Sequence, residues 1–151
     1  MDVVPVSLDC NDDKRKEELC ELLGSHGVEV KREAPYQVLV DEPLGWASLE
    51  PETRTWERCV ILSHNCCPAY QLDLLDLQPA ALITSSTVKS WLHTLASLRR
   101  GQRSYPDPST PLTRMERRTL QLVARGHTNC EIAAQWAWLI TLDTRSIQLR
   151  G

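Results

Sequence analysis

A helix-start signal occurs twice, fifteen residues apart, near the end of this 151-residue sequence. In the stretch PLTRMERRTLQLVARGHTNCEIAAQW, residues 111–136, Thr113 is followed three residues later by Glu116, and Thr128 by Glu131. Each pair is a capping box, in which each side chain bonds the backbone N–H of the other residue. Gly126, between the boxes, can end the first helix in a left-handed conformation. The pattern predicts two short helices joined by a tight turn, which is either a helix-turn-helix or an ordinary helical hairpin.

The identities of the residues in this stretch resemble the start of the NarL/LuxR-type DNA-binding domain. That family reads roughly L-T-x-x-E-x-x-x-L-x-L-x-A-x-G-x-[ST]-N-x-E-I-A. Twelve positions match it in register: Leu112, Thr113, Glu116, Leu120, Leu122, Ala124, Gly126, Thr128, Asn129, Glu131, Ile132 and Ala133. The resemblance implies a helix-turn-helix that binds double-stranded DNA, and it extends over about a seventh of the chain.

After Ala134 the sequence departs from the family pattern. The family has Ser-x-x-Thr-Val at the start of its recognition helix, whereas this chain has QWAWLITLDTRSIQLRG. Either the recognition helix runs from about Thr141 to Arg150 as the last element, or this tail has been rebuilt. We expect the family's fourth helix, which usually carries the dimer contact, to be absent. The apolar cluster from Trp136 to Ile140 is then a candidate contact with the other domain or with a second subunit.

The predicted DNA contacts fall into three groups. Spacing at i, i+1 and i+4 places one set on a single face of the recognition helix, where it can reach base edges: Thr144, Arg145 and Gln148. Thr128 and Asn129, at the start of the preceding helix, are predicted to lie near a phosphate. Sequence-independent attraction is assigned to three arginines of the first helix: Arg114, Arg117 and Arg118.

The charge distribution divides the chain in the same way. Residues 1–98 hold eight Lys/Arg and sixteen Asp/Glu, whereas residues 99–151 hold nine Arg and four acids. An acidic body followed by a basic tail is typical of a protein whose second part faces a polyanion, although a solvated basic surface has the same composition. Residues 99–111, RRGQRSYPDPSTP, have the composition of a connector. We therefore predict a first domain over 1–100, a linker over 101–111 and a helix-turn-helix over 112–151.

The first hundred residues alternate between apolar strands and amphipathic helices. VVPVSL, YQVLVDEP, RCVILSHN and AALITSS have the pattern of buried strands, and DDKRKEELCELLGSHG and STVKSWLHTLASLRRG that of helices. This alternation predicts an α/β fold with a parallel sheet. The segment resembles the receiver domain that often precedes a NarL/LuxR module. The expected architecture is a receiver-like, flavodoxin-like sheet domain followed by a small all-α domain.

The resemblance to a receiver implies a site at the carboxyl ends of the strands. Asp41 stands where the receiver's phosphoacceptor belongs, and Ser63 where its hydroxyl belongs. Asp9 and Asp12 follow the first strand without forming the adjacent acidic pair that holds Mg²⁺, and Thr84 stands near the position of the missing lysine. We therefore expect no conventional phosphorylation at Asp41, and Mg²⁺ only if this pocket is functional.

One connection cannot be that of a complete receiver. Only Ala34, Pro35 and Tyr36 separate VEVKRE from QVLV, whereas a parallel crossover needs a dozen or more residues. The family's second helix is therefore missing. Either these two segments pair as a hairpin or one of them is not a strand.

Several other classes of protein are excluded or disfavoured. Hydrophobic content of 42% and charged content of 25% are those of a globular protein, and no apolar run is long enough to span a membrane. The start has no basic signal-peptide region, and the six cysteines show no CxxC, which indicates reduced thiols in the cytoplasm. His64–Cys67, HNCC, has no second ligand pair, so it does not predict zinc. A phosphohydrolase built on Asp41 would need an acid at residue 43, which is proline.

The sequence thus predicts a cytoplasmic, non-enzymatic transcription regulator with a degenerate receiver and no required cofactor. Its expected partners are double-stranded DNA and a second copy of the chain, with a sensor kinase or a partner regulator as further candidates. The alternative is an interaction protein that pairs with a full-length regulator or another partner and does not itself read DNA.

Overall fold

The computed structural model describes residues 4–43, 45–49, 54–85 and 87–137. The chain divides into two compact units, and the division falls between Ser109 and Thr110. Among the described residues, no helix is both long enough and apolar enough to cross a lipid bilayer.

The first unit is built around a parallel sheet of four strands, β1 to β4, which lie side by side in chain order. The strands are Val6–Asp9, Tyr36–Val40, Cys59–Leu62 and Ala81–Ile83, and the helices are α1 at Asp13–Ser25, α2 at Pro68–Asp76 and α3 at Val88–Arg99. Two short 3₁₀ turns, Trp46–Leu49 and Trp56–Arg58, connect β2 to β3. The predicted α/β fold with a parallel sheet is confirmed.

The segment VEVKRE does not form the second strand that its sequence suggested. Val30 makes a single parallel bridge to Val6, through Val6 N–H donating to Glu29 O at 3.0 Å and Lys31 N–H donating to Val6 O at 2.9 Å. This bridge lies on one side of β1, and β2 pairs along the other side. The hairpin alternative is therefore wrong, because β1 separates the two segments. The order across the sheet is therefore the Val30 segment, β1, β2, β3 and β4. This is the order of a flavodoxin-like sheet whose edge strand is reduced to one residue pair.

Side chains alternate between the two faces of the sheet and build two cores. On the first face, α1 and α3 bury Leu19, Leu23, Trp91, Leu95 and Leu98 against the strands. On the second face, one cluster joins α2 and the first 3₁₀ turn to the strands: Leu39, Ala47, Ile61, Leu74 and Leu82. Only five residues, 31–35, connect Val30 to β2, where a crossover helix would otherwise cover the sheet, so this second face has less cover.

The second unit contains α4, Arg114–Ala124, and a further helix, α5, whose described part is residues 129–137. Leu122 of α4 and Ile132 of α5 are buried. The two-helix arrangement predicted from the paired capping boxes is confirmed.

Candidate functional site

The carboxylate of Asp41 is sealed inside the first unit, at the carboxyl end of β2. Its side chain is fully buried, and three donors surround it. The Ser63 hydroxyl, directly after β3, donates to Oδ2 at 2.7 Å, and the Ala47 backbone N–H donates to Oδ1 at 2.7 Å. The Tyr70 hydroxyl, on α2, lies 3.0 and 3.1 Å from the two oxygens. We call this group, Asp41 with Ser63, Ala47 and Tyr70, the Asp41 cluster.

The Asp41 cluster differs from a pocket that accepts a phosphoryl group. A carboxylate that attacks phosphorus needs an accessible oxygen and a cation to compensate the incoming charge. Here each oxygen is within hydrogen-bonding distance of two donors of the protein itself, so neither oxygen is left for a substrate. The arrangement instead ties β2, β3, α2 and the first 3₁₀ turn together.

The resemblance to a receiver predicts a site at the carboxyl ends of the strands with Asp41, Ser63 and Thr84, and the structure brings the first two together. Parallel strands end at the same edge, which is why Ser63 meets Asp41. Thr84 is half-buried, and none of the hydrogen bonds among the described residues joins it to Asp41.

The two carboxylates that would bind Mg²⁺ in a receiver make other interactions within the protein. Asp9 Oδ2 pairs with the Arg54 guanidinium at 2.8 Å. Asp12 begins α1, where its Oδ1 accepts the Arg15 backbone N–H at 3.0 Å. No group of three or more metal-ligating side chains occurs in the part of the chain that the structure describes. The residues present therefore do not fit the Mg²⁺ site of a receiver.

Sequence reasoning missed Tyr70, Ala47 and Arg54. A tyrosine on a helix that packs against a sheet is a signal that its hydroxyl needs a partner, but the sequence does not say which partner. Arg54 donates to Gln37 Oε1 at 2.6 Å as well as to Asp9, and its guanidinium lies 6.0 Å from the centre of the Trp56 ring. These contacts span 17 and 45 residues of sequence, which no local pattern encodes.

The turn of the second unit is defined by backbone geometry. Thr113 and Glu116 form a complete capping box at the start of α4. Gly126 has φ +80°, its N–H donates to Val123 O, and the His127 N–H donates to Leu122 O. These two bonds make a Schellman motif, which ends α4 and reverses the chain.

The second capping box starts α5. The Thr128 N–H donates to Glu131 Oε2 at 2.7 Å, and the Glu131 N–H donates to Thr128 Oγ1 at 3.3 Å. Thr128 and Asn129 are both exposed at this helix start.

The three arginines assigned to phosphate attraction differ in their exposure. Arg114 is exposed, and Arg118 is half-buried, with its guanidinium donating to Gln121 Oε1 at 3.0 Å. Arg117 is only 6% exposed, which does not fit the predicted phosphate contact. Thr144, Arg145 and Gln148 of the predicted recognition helix lie outside the described residues.

Three large apolar side chains are exposed in the described part of the second unit. Leu120 and Val123 of α4 are each 54% exposed, and Trp136 of α5 is 36% exposed. The Trp136 indole N–H donates to Thr119 Oγ1 at 3.1 Å. The apolar cluster predicted from Trp136 to Ile140 is thus represented at the surface by Trp136, while residues 138–140 lie outside the described range.

The capping carboxylates make the second unit sensitive to acid. The backbone N–H of Thr113, and then its hydroxyl, hold the pKa of Glu116 below its usual 4.5, and Thr128 does the same to the pKa of Glu131. A lowered folded-state pKa gives stabilisation that is present above the unfolded value and is lost as the pH falls through the folded one. We expect helix content in this unit, followed by circular dichroism, to decrease below about pH 4.5.

A matched variant isolates this effect. Glutamine can also form a capping box but does not titrate. In the double variant Glu116→Gln/Glu131→Gln, the acid-induced loss of helix in the second unit should be smaller than in the parent. An unchanged acid profile would show that other carboxyl groups control it.

Comparisons with known proteins identify the fold. No family model and no curated protein sequence matches this chain. Solved structures of RcsB match it. One is RcsB from Salmonella enterica serovar Typhimurium bound to promoter P1flhDC in the presence of phosphomimetic BeF3-. It is 16% identical in sequence, and the TM-score is 0.53 with 89% of this chain and 83% of that chain covered. A second structure, of two RcsB dimers bound to two parallel DNAs, is 16% identical with a TM-score of 0.55. The match covers 90% of this chain and 84% of that chain. A third structure, of the Salmonella typhimurium RcsB response regulator, is described in terms of conformational dynamism for DNA interaction. Its sequence identity is 16% and its TM-score 0.51, with 99% of this chain and 92% of that chain covered. At this identity, the chain shares the fold of RcsB.

Proposed function

We propose that this protein is a DNA-binding transcription regulator of the NarL/LuxR response-regulator type. The observation that carries the proposal is the Schellman turn at Gly126 between two capping boxes, which joins two short helices where the sequence resembles the opening of a helix-turn-helix. The RcsB structures that share the fold are described as bound to DNA, which supports the same assignment. In this function the protein has no catalytic activity, binds double-stranded DNA and acts as a homodimer.

We test the proposal by titrating duplex DNA with the whole chain at different salt concentrations. Each phosphate that a cation neutralises releases counterions, so binding should weaken steeply as salt increases. With about four such contacts, the affinity should fall roughly 100-fold between about 50 and about 200 mM salt. Fluorescence anisotropy of a labelled duplex measures this directly. Absence of salt-dependent affinity for any duplex at low ionic strength would overturn the proposal.

Control by conventional aspartyl phosphorylation is not part of the proposed function. The Asp41 carboxylate accepts from Ser63, Ala47 and Tyr70, and Asp9 is paired with Arg54. We expect acetyl phosphate with Mg²⁺ to leave the intact mass unchanged, because neither the nucleophile nor the charge compensation is accessible. A phosphoryl adduct that Asp41→Ala abolishes would contradict this.

The exposed apolar side chains Leu120, Val123 and Trp136 favour a second candidate function. In that case the protein pairs with a full-length regulator or another partner and does not itself read DNA. The DNA titration separates the two functions, since only the first requires salt-dependent affinity for a duplex.

A further inference from the structure

A cavity of about 290 Å³ lies in the first unit, away from the Asp41 cluster. Its floor is a row of three residues in register across three strands: Ser7 of β1 beside Gln37 of β2, and Gln37 beside Cys59 of β3. Ser7 and Gln37 are polar, and Cys59 is buried. The rest of the lining comes from the two connections that stand in place of crossover helices: Glu33, Ala34 and Pro35 on one side, and Arg54, Thr55 and Arg58 on the other.

The adjacent polar residues Ser7 and Gln37 are unusual for a parallel sheet. Both faces of such a sheet are normally covered by helices, and their strands are almost continuously apolar. The neighbouring positions on the same face, Leu39 and Ile61, follow this rule and pack with α2. Ser7 and Gln37 depart from it where the five residues 31–35 stand in place of a helix, so the sheet face there offers polar groups to the cavity.

The hydrogen bond that Gln37 accepts determines which atom of its side-chain amide can bind a ligand in the cavity. Its Oε1 accepts from the Arg54 guanidinium at 2.6 Å, and a guanidinium can only donate. The amide oxygen is therefore on the side of Arg54, which leaves the amide nitrogen as a donor. Arg54 is itself held by Asp9, so the floor is fixed before any ligand arrives.

The remaining groups are also mainly donors. In the described part of the chain, no hydrogen bond or ion pair engages the Ser7 hydroxyl, the Gln37 amide nitrogen, the Thr55 hydroxyl or the Arg58 guanidinium. Three neutral donors and one cation around one cavity are suited to an oxyanion. The exposed Glu33 carboxylate, on the opposite side of the lining, repels a bound anion. Its removal therefore tests whether the ligand is negatively charged.

We propose that this cavity binds a small molecule through a carboxylate or phosphate group, with Ser7, Gln37, Thr55 and Arg58 as its donors. The site lies within the sheet unit, and none of its lining residues is among the predicted DNA contacts. It would give a protein whose Asp41 is inaccessible a second place at which to receive a signal.

The test uses the whole chain with inorganic phosphate and malonate as separate probes. Backbone and side-chain amide shifts are followed by NMR at low chloride. We expect saturable shifts at Ser7, Gln37 and Cys59 with a dissociation constant of about 1 mM for at least one probe. A response to phosphate alone identifies a phosphoryl group, and a response to malonate alone identifies a carboxylate.

Three variants decide whether the binding is specific. Arg58→Gln should weaken binding about tenfold, and Glu33→Gln should strengthen it a few-fold because it removes a like charge. Arg103→Gln removes an exposed arginine beside Ser104, which bridges β4 at the other side of the sheet, and should have no effect. The proposal is overturned if neither probe saturates by about 20 mM, if the shifts map elsewhere, or if Arg103→Gln weakens binding as much as Arg58→Gln.

Discussion

Asp41→Ala should lower the free energy of unfolding of the sheet unit by about 3 kcal/mol. The substitution removes the acceptor for the Ser63 hydroxyl, the Tyr70 hydroxyl and the Ala47 N–H at once. Buried donors left without an acceptor cost more than the net value of the bonds that they made. Urea denaturation followed by circular dichroism measures the change.

Two milder variants separate the contributions to this effect. Tyr70→Phe removes one donor and leaves the carboxylate with two, so a loss of about 1 kcal/mol is expected. Asp41→Asn keeps the shape but places an amide N–H₂ against donors, so its loss should fall between those of Tyr70→Phe and Asp41→Ala. If Asp41→Ala leaves stability unchanged or raises it, the structural role that we assign to Asp41 is wrong. Asp41 would then be a residue that lowers stability and serves a function.

The contrast between the Asp41 cluster and the second unit shows which contacts a sequence encodes. Both capping boxes and the Gly126 turn were predictable because each joins residues three to five positions apart. Proximity of Asp41 to Ser63 was predictable from topology, since parallel strands end at one edge. No comparable rule points to Tyr70, whose hydroxyl reaches Asp41 across 29 residues from a different element.

The same distinction explains the errors. Arg117 has the sequence pattern of a surface cation between two other arginines, but tertiary packing buries it. VEVKRE alternates apolar and charged residues as an edge strand does, yet only Val30 pairs, because the connection that follows returns to β2 within five residues. Burial by the rest of the unit decides the first case, and the length of the connection decides the second.

The largest expected effect on DNA binding comes from reversing the charge of two arginines on α4. Arg114 is exposed and Arg118 is half-buried with its guanidinium at Gln121, so both remain candidates for phosphate contacts. In Arg114→Glu/Arg118→Glu, two attractive contacts are replaced by repulsion. We expect the affinity for every duplex to fall roughly 100-fold and the slope of log affinity against log salt to decrease by about two units.

A control with the same change in charge shows whether position matters. Lys14 and Lys16 are exposed on α1 of the sheet unit, and Lys14→Glu/Lys16→Glu alters the net charge of the protein equally. Counterion release counts only cations that lie against phosphates, so this control should leave the salt slope unchanged. If both double variants weaken binding to the same extent, the attraction comes from the overall charge of the protein and not from α4. The helix-turn-helix would then lose its assigned role in holding DNA.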